Sequence, residues 1–301
     1  MPTGTACGAV GCGRVRCGAR YGRCVTIATD GPYADFLRFE LAVFGEELFL
    51  PGYDPHLIRY GEYRFVCDHL DPRPGLRILD VGCEANIFQV FAASRGAHVV
   101  GIDVDPGAEG PLRERERLAQ LALERPIRVE FQAVDATAFR PAGKLFDVVI
   151  AVSSIEHFFV ADGHGDSLAM DTIACAVRPG GLALVTVPMS NGGVFFEVAS
   201  GDDRFGYSYR LYTPEVLQER LCSHPELELV DRRFLAQSTP DPRFEPLRFI
   251  RFWQDLEADA RRQWGFAHPL LAEMFNPAIS ETEARARPLC VNTALLAFRR
   301  C

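Results

Sequence analysis

Lysine is almost missing from this chain: all but one of its 32 basic residues are arginine, and Lys144 is the exception. This absence removes lysine from the candidates for a catalytic amine. The chain also lacks an apolar run of the roughly 18 residues that a membrane-spanning helix needs. Its net charge of −8 argues against general nucleic-acid binding, because phosphates require a basic face. We therefore expect a soluble, cytoplasmic protein without a membrane or nucleic-acid partner.

Ten cysteines are many for such a protein, and four of them are crowded near its start. Cys7, Cys12, Cys17 and Cys24 lie in residues 1–29, which are rich in glycine and free of acidic residues. Zinc sites usually have cysteines about two to four residues apart, and these spacings fit poorly. Residues 1–29 are interpreted as a disordered tail or a start assigned too far upstream. A metal or redox cluster and an organelle-targeting leader are the alternatives.

The later cysteines lie in segments that we expect to be core elements. In a reducing compartment such thiols behave as small buried hydrophobic groups. The residues in this group are Cys67, Cys83, Cys175, Cys222 and Cys290. Cys301, at the end of the chain, is expected to be free.

The most informative segment is an apolar strand, residues 77–81, that runs into Gly82. Twenty-one residues after Gly82, a second apolar run ends in Asp103. A strand, a tight glycine turn, a helix and a second strand with an acid at its tip form a βαβ unit. The terminal carboxylate of such a unit can accept hydrogen bonds from both hydroxyls of a ribose. The pattern therefore predicts a site for an adenosine cofactor.

Three further landmarks follow in order along the chain. A third strand, residues 127–132, precedes Asp135, and residues 146–150 are apolar enough for a buried fourth strand. Residues 178–181, Arg-Pro-Gly-Gly, then form a turn that leads into a fifth strand ending at Pro188. Each motif is weak by itself, but the order and the spacing together are specific.

In that order and spacing the chain resembles the class I S-adenosylmethionine-dependent methyltransferases over residues 63–299. The resemblance implies S-adenosyl-L-methionine as cofactor and an α/β fold, a Rossmann-like doubly wound sheet of seven strands with an antiparallel last strand. It places Asp80 near the methionine amino group, Asp103 at the ribose and Asp135 near the adenine amino group. The other cofactor contacts that we expect are Gly82, Cys83, Glu84, Val104, Ala136 and Ser153.

The glycine motif departs from that family's Gly-x-Gly-x-Gly pattern, because Glu84 and Asn86 stand at its second and third positions. Asparagine tolerates a left-handed backbone, so Asn86 is a mild change. Glu84 places a side chain and a charge where the backbone should approach the ligand. A binding module that has lost turnover is therefore one alternative. A nicotinamide-dependent reductase is another, but its motif would need glycines at positions 84 and 87.

The chemistry is expected at the carboxyl ends of the strands, where open α/β sheets bind ligands. The loop after the fourth strand carries Glu156 and His157, and a near-neutral pKa makes histidine the better candidate base. A histidine that only bonds a backbone carbonyl is the alternative. After the fifth strand, Asn191, Tyr209 and Arg210 are candidate acceptor contacts. Arg210 would clamp a carboxylate or phosphate, unless it is simply a surface arginine.

No metal site is predicted, because the Asp- and His-containing loop at residues 162–166 lacks a third aligned ligand. We expect methyl transfer to an oxygen or nitrogen of a small-molecule or sugar-containing acceptor. The predicted organisation is a helical N-terminal cover at 30–70, a core at 71–238, a helical insertion at 239–288 and a last strand at 289–301. The cover and the insertion either pack in the ordinary way or enclose the acceptor.

Overall fold

The computed structural model describes residues 30–44, 57–83, 86–104, 129–160, 163–190, 194–198, 208–236, 276–286 and 291–301. Four of the sequence predictions fall outside these ranges. They are the tail at residues 1–29, the cofactor contact Glu84, the acceptor contact Asn191 and the buried thiol Cys290. The insertion is described only from residue 276 onward.

One eight-stranded sheet dominates the described part, with the order β3-β2-β1-β4-β5-β10-β8-β9. Its strands are β1 (Arg77–Val81), β2 (His98–Asp103), β3 (Val129–Ala133), β4 (Phe146–Val152), β5 (Val177–Pro188), β8 (Leu227–Ala236), β9 (Ala278–Ser280) and β10 (Val291–Arg300). A separate antiparallel pair joins β6 (Phe196–Val198) to β7 (Tyr209–Leu211). The strands β1 to β5 are parallel, and β10 runs antiparallel between β5 and β8.

The predicted α/β architecture is thereby confirmed, including the antiparallel last strand, β10. The strand count differs by one. Residues 278–280, in the segment predicted to be a helical insertion, form an extra edge strand, β9, that pairs antiparallel with β8. An edge strand of three residues has too little periodicity to be separated from a loop in the sequence.

Helices cover both faces of the sheet. They are α1 (Pro32–Phe44), α2 (Leu57–His69), α3 (Ile87–Ser94), α4 (Gly165–Ala176), α5 (Pro214–Leu217) and α6 (Glu281–Ala286). A π-helical turn, Gln218–Cys222, prolongs α5. Thr213 caps α5, because its side chain accepts a hydrogen bond from the Val216 amide. No helix within these described ranges is long and apolar enough to cross a membrane.

The two core layers explain why the central strands are apolar along their length. Side chains of α1, α2 and α3 pack on one face, and those of α4, α5 and the π-helical turn pack on the other. A parallel strand between two helical layers is buried on both sides, so it does not alternate. The rings of Phe36, Tyr63 and Phe88 lie 5.2–5.7 Å apart and join α1, α2 and α3. This part of the N-terminal cover packs in the ordinary way.

The predicted Pro-Gly-Gly turn is a bulge inside a strand. Phe146 of β4 pairs with Val177, whereas Val148 pairs with Leu182, so residues 178–181 bulge out of the ladder. The paired part of β5 then continues to Pro188 beside β4. The two glycines therefore lie in a bulge within β5, and they do not form a separate turn between α4 and that strand.

The cysteine predictions hold for three of the later residues. Cys67, Cys83 and Cys222 are buried free thiols. Cys175 is exposed, and its predicted burial was wrong, because it lies on the solvent side of α4. Cys301 is exposed and free, and Cys290 lies outside the described ranges.

Candidate active site

The carboxyl ends of β1, β2 and β4 lie side by side at one edge of the sheet. In the ladder, Asp80 of β1 is opposite Gly101 of β2 on one side and Ile150 of β4 on the other. From β1 the chain runs outward through β2 to β3 and then returns to place β4 on the other side of β1, so the strand order reverses beside β1. Ligand crevices of doubly wound sheets occur at such points.

Gly82 lies at this edge in close contact with the loop after β4. Its backbone has φ +64°, and its amide donates a hydrogen bond of 2.9 Å to the carbonyl of Ile102. A Cβ at this position would lie 2.6 Å from Cβ of Ser154, in the loop after β4. The hydroxyl of Ser154 in turn donates to the Val81 carbonyl at 2.7 Å. The loops after β1 and β4 are therefore in contact with no room for a side chain.

Asp80 is buried beside two side-chain amides. Its Oδ2 accepts hydrogen bonds from Nε2 of Gln89 at 2.7 Å and from Nδ2 of Asn86 at 3.0 Å. Both amides also donate to the carbonyl of Cys83. Burial raises the pKa of Asp80 to about 7, although the two amide hydrogen bonds lower it. The first strand thus ends in a carboxyl group that titrates near neutrality.

The role predicted for Asn86 was wrong. Its backbone is extended, with φ −126° and ψ 157°, so it does not replace a left-handed glycine. Its Oδ1 accepts the Gln89 amide at 3.1 Å, and the Gln89 side chain bonds back to the Asn86 amide. This reciprocal pair is a capping box at the start of α3, and a capping residue needs extended backbone.

Replacing Asn86 by alanine is expected to lower the stability by about 1–2 kcal/mol, because the helix cap and one donor to Asp80 are lost together. The unfolding midpoint in urea measures this loss. Asn86→Asp is the matched control, since aspartate retains the cap but offers Asp80 no donor. A midpoint unchanged in Asn86→Ala would contradict the capping role.

Acidic residues also follow β2 and β3. Asp103 ends β2, and the Asp103 carbonyl accepts a hydrogen bond of 2.8 Å from the Val134 amide, which joins the loops after the two strands. Val104 follows with 72% of its surface exposed. Asp135 is exposed, and its Oδ1 accepts from the amide and the hydroxyl of Thr137 at 2.8 and 2.7 Å. Ala136 beside Asp135 is buried in the core.

Glu156 is a buried carboxyl group in the loop after β4. Only 2% of its surface is exposed, and its Oε2 has no hydrogen-bond partner among the described residues. Burial raises its pKa to about 8. A buried polar atom without a partner is costly, so such groups in a crevice are candidates for contact with a ligand.

His157 is held by a backbone carbonyl, as the alternative interpretation of this residue proposed. Its Nδ1 lies 2.7 Å from the carbonyl oxygen of Ser208 and must donate in that contact. In the neutral ring Nε2 then carries the lone pair, and it lies 3.8 Å from Oε1 of Glu156. The carbonyl contact therefore fixes the tautomer of the neutral ring and leaves the Nε2 lone pair on the side of Glu156.

Arg210 is fully buried, in contrast to the surface location considered for it. Its Nη1 donates to the Phe158 carbonyl at 2.8 Å, and its Nη2 to the Gly163 carbonyl at 3.3 Å. The guanidinium also lies 3.9 Å from the ring centre of Phe159. A buried cation needs such partners, so the side chain braces β7 against the loop after β4. Tyr209, the neighbouring candidate, is half-buried.

Comparisons with known proteins identify the family. A family model described as a methyltransferase domain matches residues 56–252, which is more than half of the chain. The chain belongs to this methyltransferase family. The prediction of a class I S-adenosylmethionine-dependent methyltransferase is confirmed, and the nicotinamide alternative is set aside.

Several ubiquinone biosynthesis O-methyltransferases are similar in sequence to this methyltransferase. The one from Rhizobium etli is 32% identical over 178 residues, which cover 56% of this chain and 67% of that protein. The one from Sinorhizobium medicae is 36% identical over 114 residues, which cover 38% and 42%. The matches thus span about two thirds or less of these relatives.

Solved structures of methyltransferases also match. The N-methyltransferase NodS from Bradyrhizobium japonicum has a TM-score of 0.45 at 15% identity, with 90% of this chain and 99% of that chain covered. The 1,6-didemethyltoxoflavin-N1-methyltransferase from Burkholderia thailandensis has a TM-score of 0.46 at 17% identity, with 92% and 93% covered.

The sequence reasoning missed three polar residues that shape the site of this methyltransferase. They are Glu62, Gln89 and Thr186. Glu62 had one visible signal, since it lies one helical turn before Val66 on the apolar face of α2. Within the described ranges no group of three His, Cys, Asp or Glu residues is arranged to hold a metal ion.

The two buried carboxyl groups predict how stability depends on pH. The pKa values of Asp80 and Glu156 are raised to about 7 and about 8, so the folded protein holds protons that the unfolded chain releases. This stabilisation is complete below the ordinary pKa values near 4 and is lost as the pH rises through 7 and 8. The melting temperature of the ligand-free protein should fall between pH 5 and pH 8.5. In Glu156→Gln the decrease should be smaller by at least about 3 °C. A melting temperature that rises over this range would contradict the assignment.

Proposed function

We propose that this methyltransferase transfers the methyl group of S-adenosylmethionine to a hydroxyl oxygen of a small-molecule acceptor. The observation that carries the proposal is the pair Glu156 and His157 at the carboxyl end of β4. A buried carboxyl oxygen that has no hydrogen-bond partner among the described residues lies there near an oriented imidazole, beside the edge where the cofactor would lie. A hydroxyl acceptor must lose a proton during transfer. The neutral imidazole can accept it, and Glu156 can accept it where the pH exceeds its raised pKa of about 8.

The cofactor would extend along the ends of β1, β2 and β3. In this placement the Asp80 carboxylate faces the methionine ammonium, whose positive charge would lower the pKa of that carboxyl group. Asp103 would accept the ribose hydroxyls, and Asp135 the adenine amino group. The exposed side chain of Val104 offers apolar surface to the adenine ring. The remaining contacts would come from Gly82, Cys83, Glu84, Ala136 and Ser153.

The reaction needs one bond to form as another breaks. The acceptor oxygen bonds to the methyl carbon while the carbon–sulfur bond breaks, and its electron pair stays on sulfur as neutral S-adenosylhomocysteine. His157 takes the hydroxyl proton on Nε2, while Ser208 holds the opposite side of the ring. Glu156, close to that nitrogen, is the alternative acceptor of the proton. Thr186 supports the loop that carries both groups.

The acceptor contacts predicted after β5 divide in two. Asn191 and Tyr209 stay proposed contacts with the acceptor. For Arg210 we propose the bracing role in place of the clamp, because its donors are directed at the carbonyls of Phe158 and Gly163 and at the carboxylate of Glu197. An acceptor with a carboxylate or phosphate is therefore not required, and a neutral hydroxylated molecule fits the proposal.

A cytoplasmic location also belongs to the proposal. It is supported by the free thiols of Cys67, Cys83 and Cys222, which are compatible with a reducing compartment.

A labelled-methyl assay tests the proposed function. The protein is incubated with S-adenosylmethionine and, separately, phenols, sugars and amines of similar size. Transfer to a hydroxyl compound that is lost in His157→Gln is the expected result. Transfer to amines alone would contradict the oxygen assignment. Cofactor binding without transfer to any compound would favour the module that has lost turnover.

A further inference from the structure

A buried carboxylate on the N-terminal helix α2 reaches the ends of two core strands. Glu62 is fully buried, and its Oε1 accepts hydrogen bonds from the hydroxyls of Ser153 and Thr186 at 2.5 and 2.6 Å. Its Oε2 accepts from Nη1 of Arg59 at 3.0 Å, and the same nitrogen donates to the Val152 carbonyl. One side chain thus links α2 to the ends of β4 and β5.

The residue that Glu62 holds has an unusual backbone. Ser153 has φ +41°, and it is the one non-glycine residue with a positive φ in the described part of the chain. Residues with a Cβ adopt this region only where neighbours compensate for the strain. The compensation comes from three contacts: the hydroxyl bond to Glu62 and two bonds from the Ser153 amide to Thr186, at 2.9 and 3.1 Å.

The strained residue directs the rest of the loop. Directly after it, Ser154 donates to the Val81 carbonyl and fills the space beside Gly82. Glu156 follows two residues later. Because Ser153 sets the path of the chain into this loop, a change in its φ would move both the cofactor edge and the proposed base.

We propose that Glu62 is a positioning residue for methyl transfer, which holds the loop after β4 in its working shape through the left-handed Ser153. The proposal rests on the proposed function of that loop. Among the described residues no hydrogen bond joins Glu62 to either proposed proton acceptor, so its hydrogen-bonded link to the loop runs through Ser153. Beyond the effect of burial, its charge also raises the pKa of Glu156. The N-terminal helical cover thereby contributes to the active site from outside the sheet.

The test is a double-mutant cycle with Glu62→Gln and Ser153→Gly. Glutamine keeps the volume but replaces one acceptor oxygen by a donor. In the Ser153 background we expect Glu62→Gln to lower kcat about tenfold, as for the loss of one charge-assisted hydrogen bond. It should weaken S-adenosylhomocysteine binding as well. Glycine adopts a positive φ without the hydrogen bond from Glu62. In the Ser153→Gly background, Glu62→Gln should therefore lower kcat by less than about threefold.

Asp68→Asn is the matched control on the same helix. It removes the 2.7 Å ion pair that joins α2 to Arg233 of β8. Asp68 lies near the C-terminal end of α2, six residues after Glu62. Its kcat and ligand affinity should be unchanged. Equal losses from Glu62→Gln in both backgrounds, or an equal loss in Asp68→Asn, would overturn the proposal. If the wild-type protein methylates no acceptor, the proposed function fails, while the ligand affinities of the four cycle proteins still decide the role of Glu62.

Discussion

In calorimetric titration, Gly82→Ala is expected to bind S-adenosylhomocysteine at least about a hundredfold more weakly than the wild-type protein does. Two effects add at this position. The backbone at φ +64° strains any residue with a Cβ, and that Cβ would lie 2.6 Å from Cβ of Ser154 and 3.1 Å from the ring of Phe158. The Ser154 Cβ is bonded directly to the backbone, so it cannot move away unless the chain after β4 moves with it. The loops after β1 and β4 must therefore separate where the cofactor would bind.

Gly75→Ala is the matched control for this prediction. Gly75 has φ +84° in the turn before β1, but a Cβ there would meet no atom within 4 Å. Both variants carry backbone strain and should melt at lower temperature than the wild-type protein. Only Gly82→Ala should lose ligand affinity. Equal affinities in the two variants would mean that the Gly82 edge is not the cofactor site.

His157→Gln is expected to lower kcat by about 10²- to 10⁴-fold, which is the usual contribution of a general base. Affinity for S-adenosylhomocysteine should change by less than about threefold, because the proposed placement puts the imidazole beside the acceptor and not along the cofactor. Single-turnover transfer of a labelled methyl group separates the chemical step from product release. A fall in cofactor affinity with an unchanged rate of transfer would contradict the assignment.

Two further variants sharpen this second prediction. Glu156→Gln keeps the shape of the neighbouring carboxyl group but removes its ability to accept a proton. The variant with the larger loss of kcat identifies the base. His224→Gln is the control, since His224 pairs with Asp171 outside the crevice, at 3.1 Å. Its kcat should equal that of the wild-type protein.

Much of the fold could be predicted because its signals are local. An apolar run that ends in Gly82 or Asp103 predicts where a strand ends. It also predicts that the polar groups lie at the carboxyl end of that strand. The burial of β1 and β4 on both faces follows from the continuous apolar sequence of each strand. The place of the crevice then follows from the topology rule for doubly wound sheets.

The errors concern residues whose role depends on distant parts of the chain. Asparagine favours both left-handed backbone and helix caps, and only the position of the α3 start decides between them for Asn86. The buried Arg210 side chain donates to the carbonyls of Phe158 and Gly163, which are 52 and 47 residues away in sequence. Glu62 meets Ser153 across 91 residues. No periodicity in the sequence reports such contacts.

The central claim is that the ends of β1, β2 and β3 hold S-adenosylmethionine, and Asp103 tests it most directly. The measurement is calorimetric titration of S-adenosylhomocysteine into the wild-type protein and Asp103→Ala. The account predicts binding in the micromolar range to the wild-type protein. The affinity of the variant should be largely lost, because the ribose of the ligand would have no carboxylate partner. Equal binding to both proteins would place the cofactor elsewhere. No binding to either would mean that the crevice of this chain does not accept the ligand.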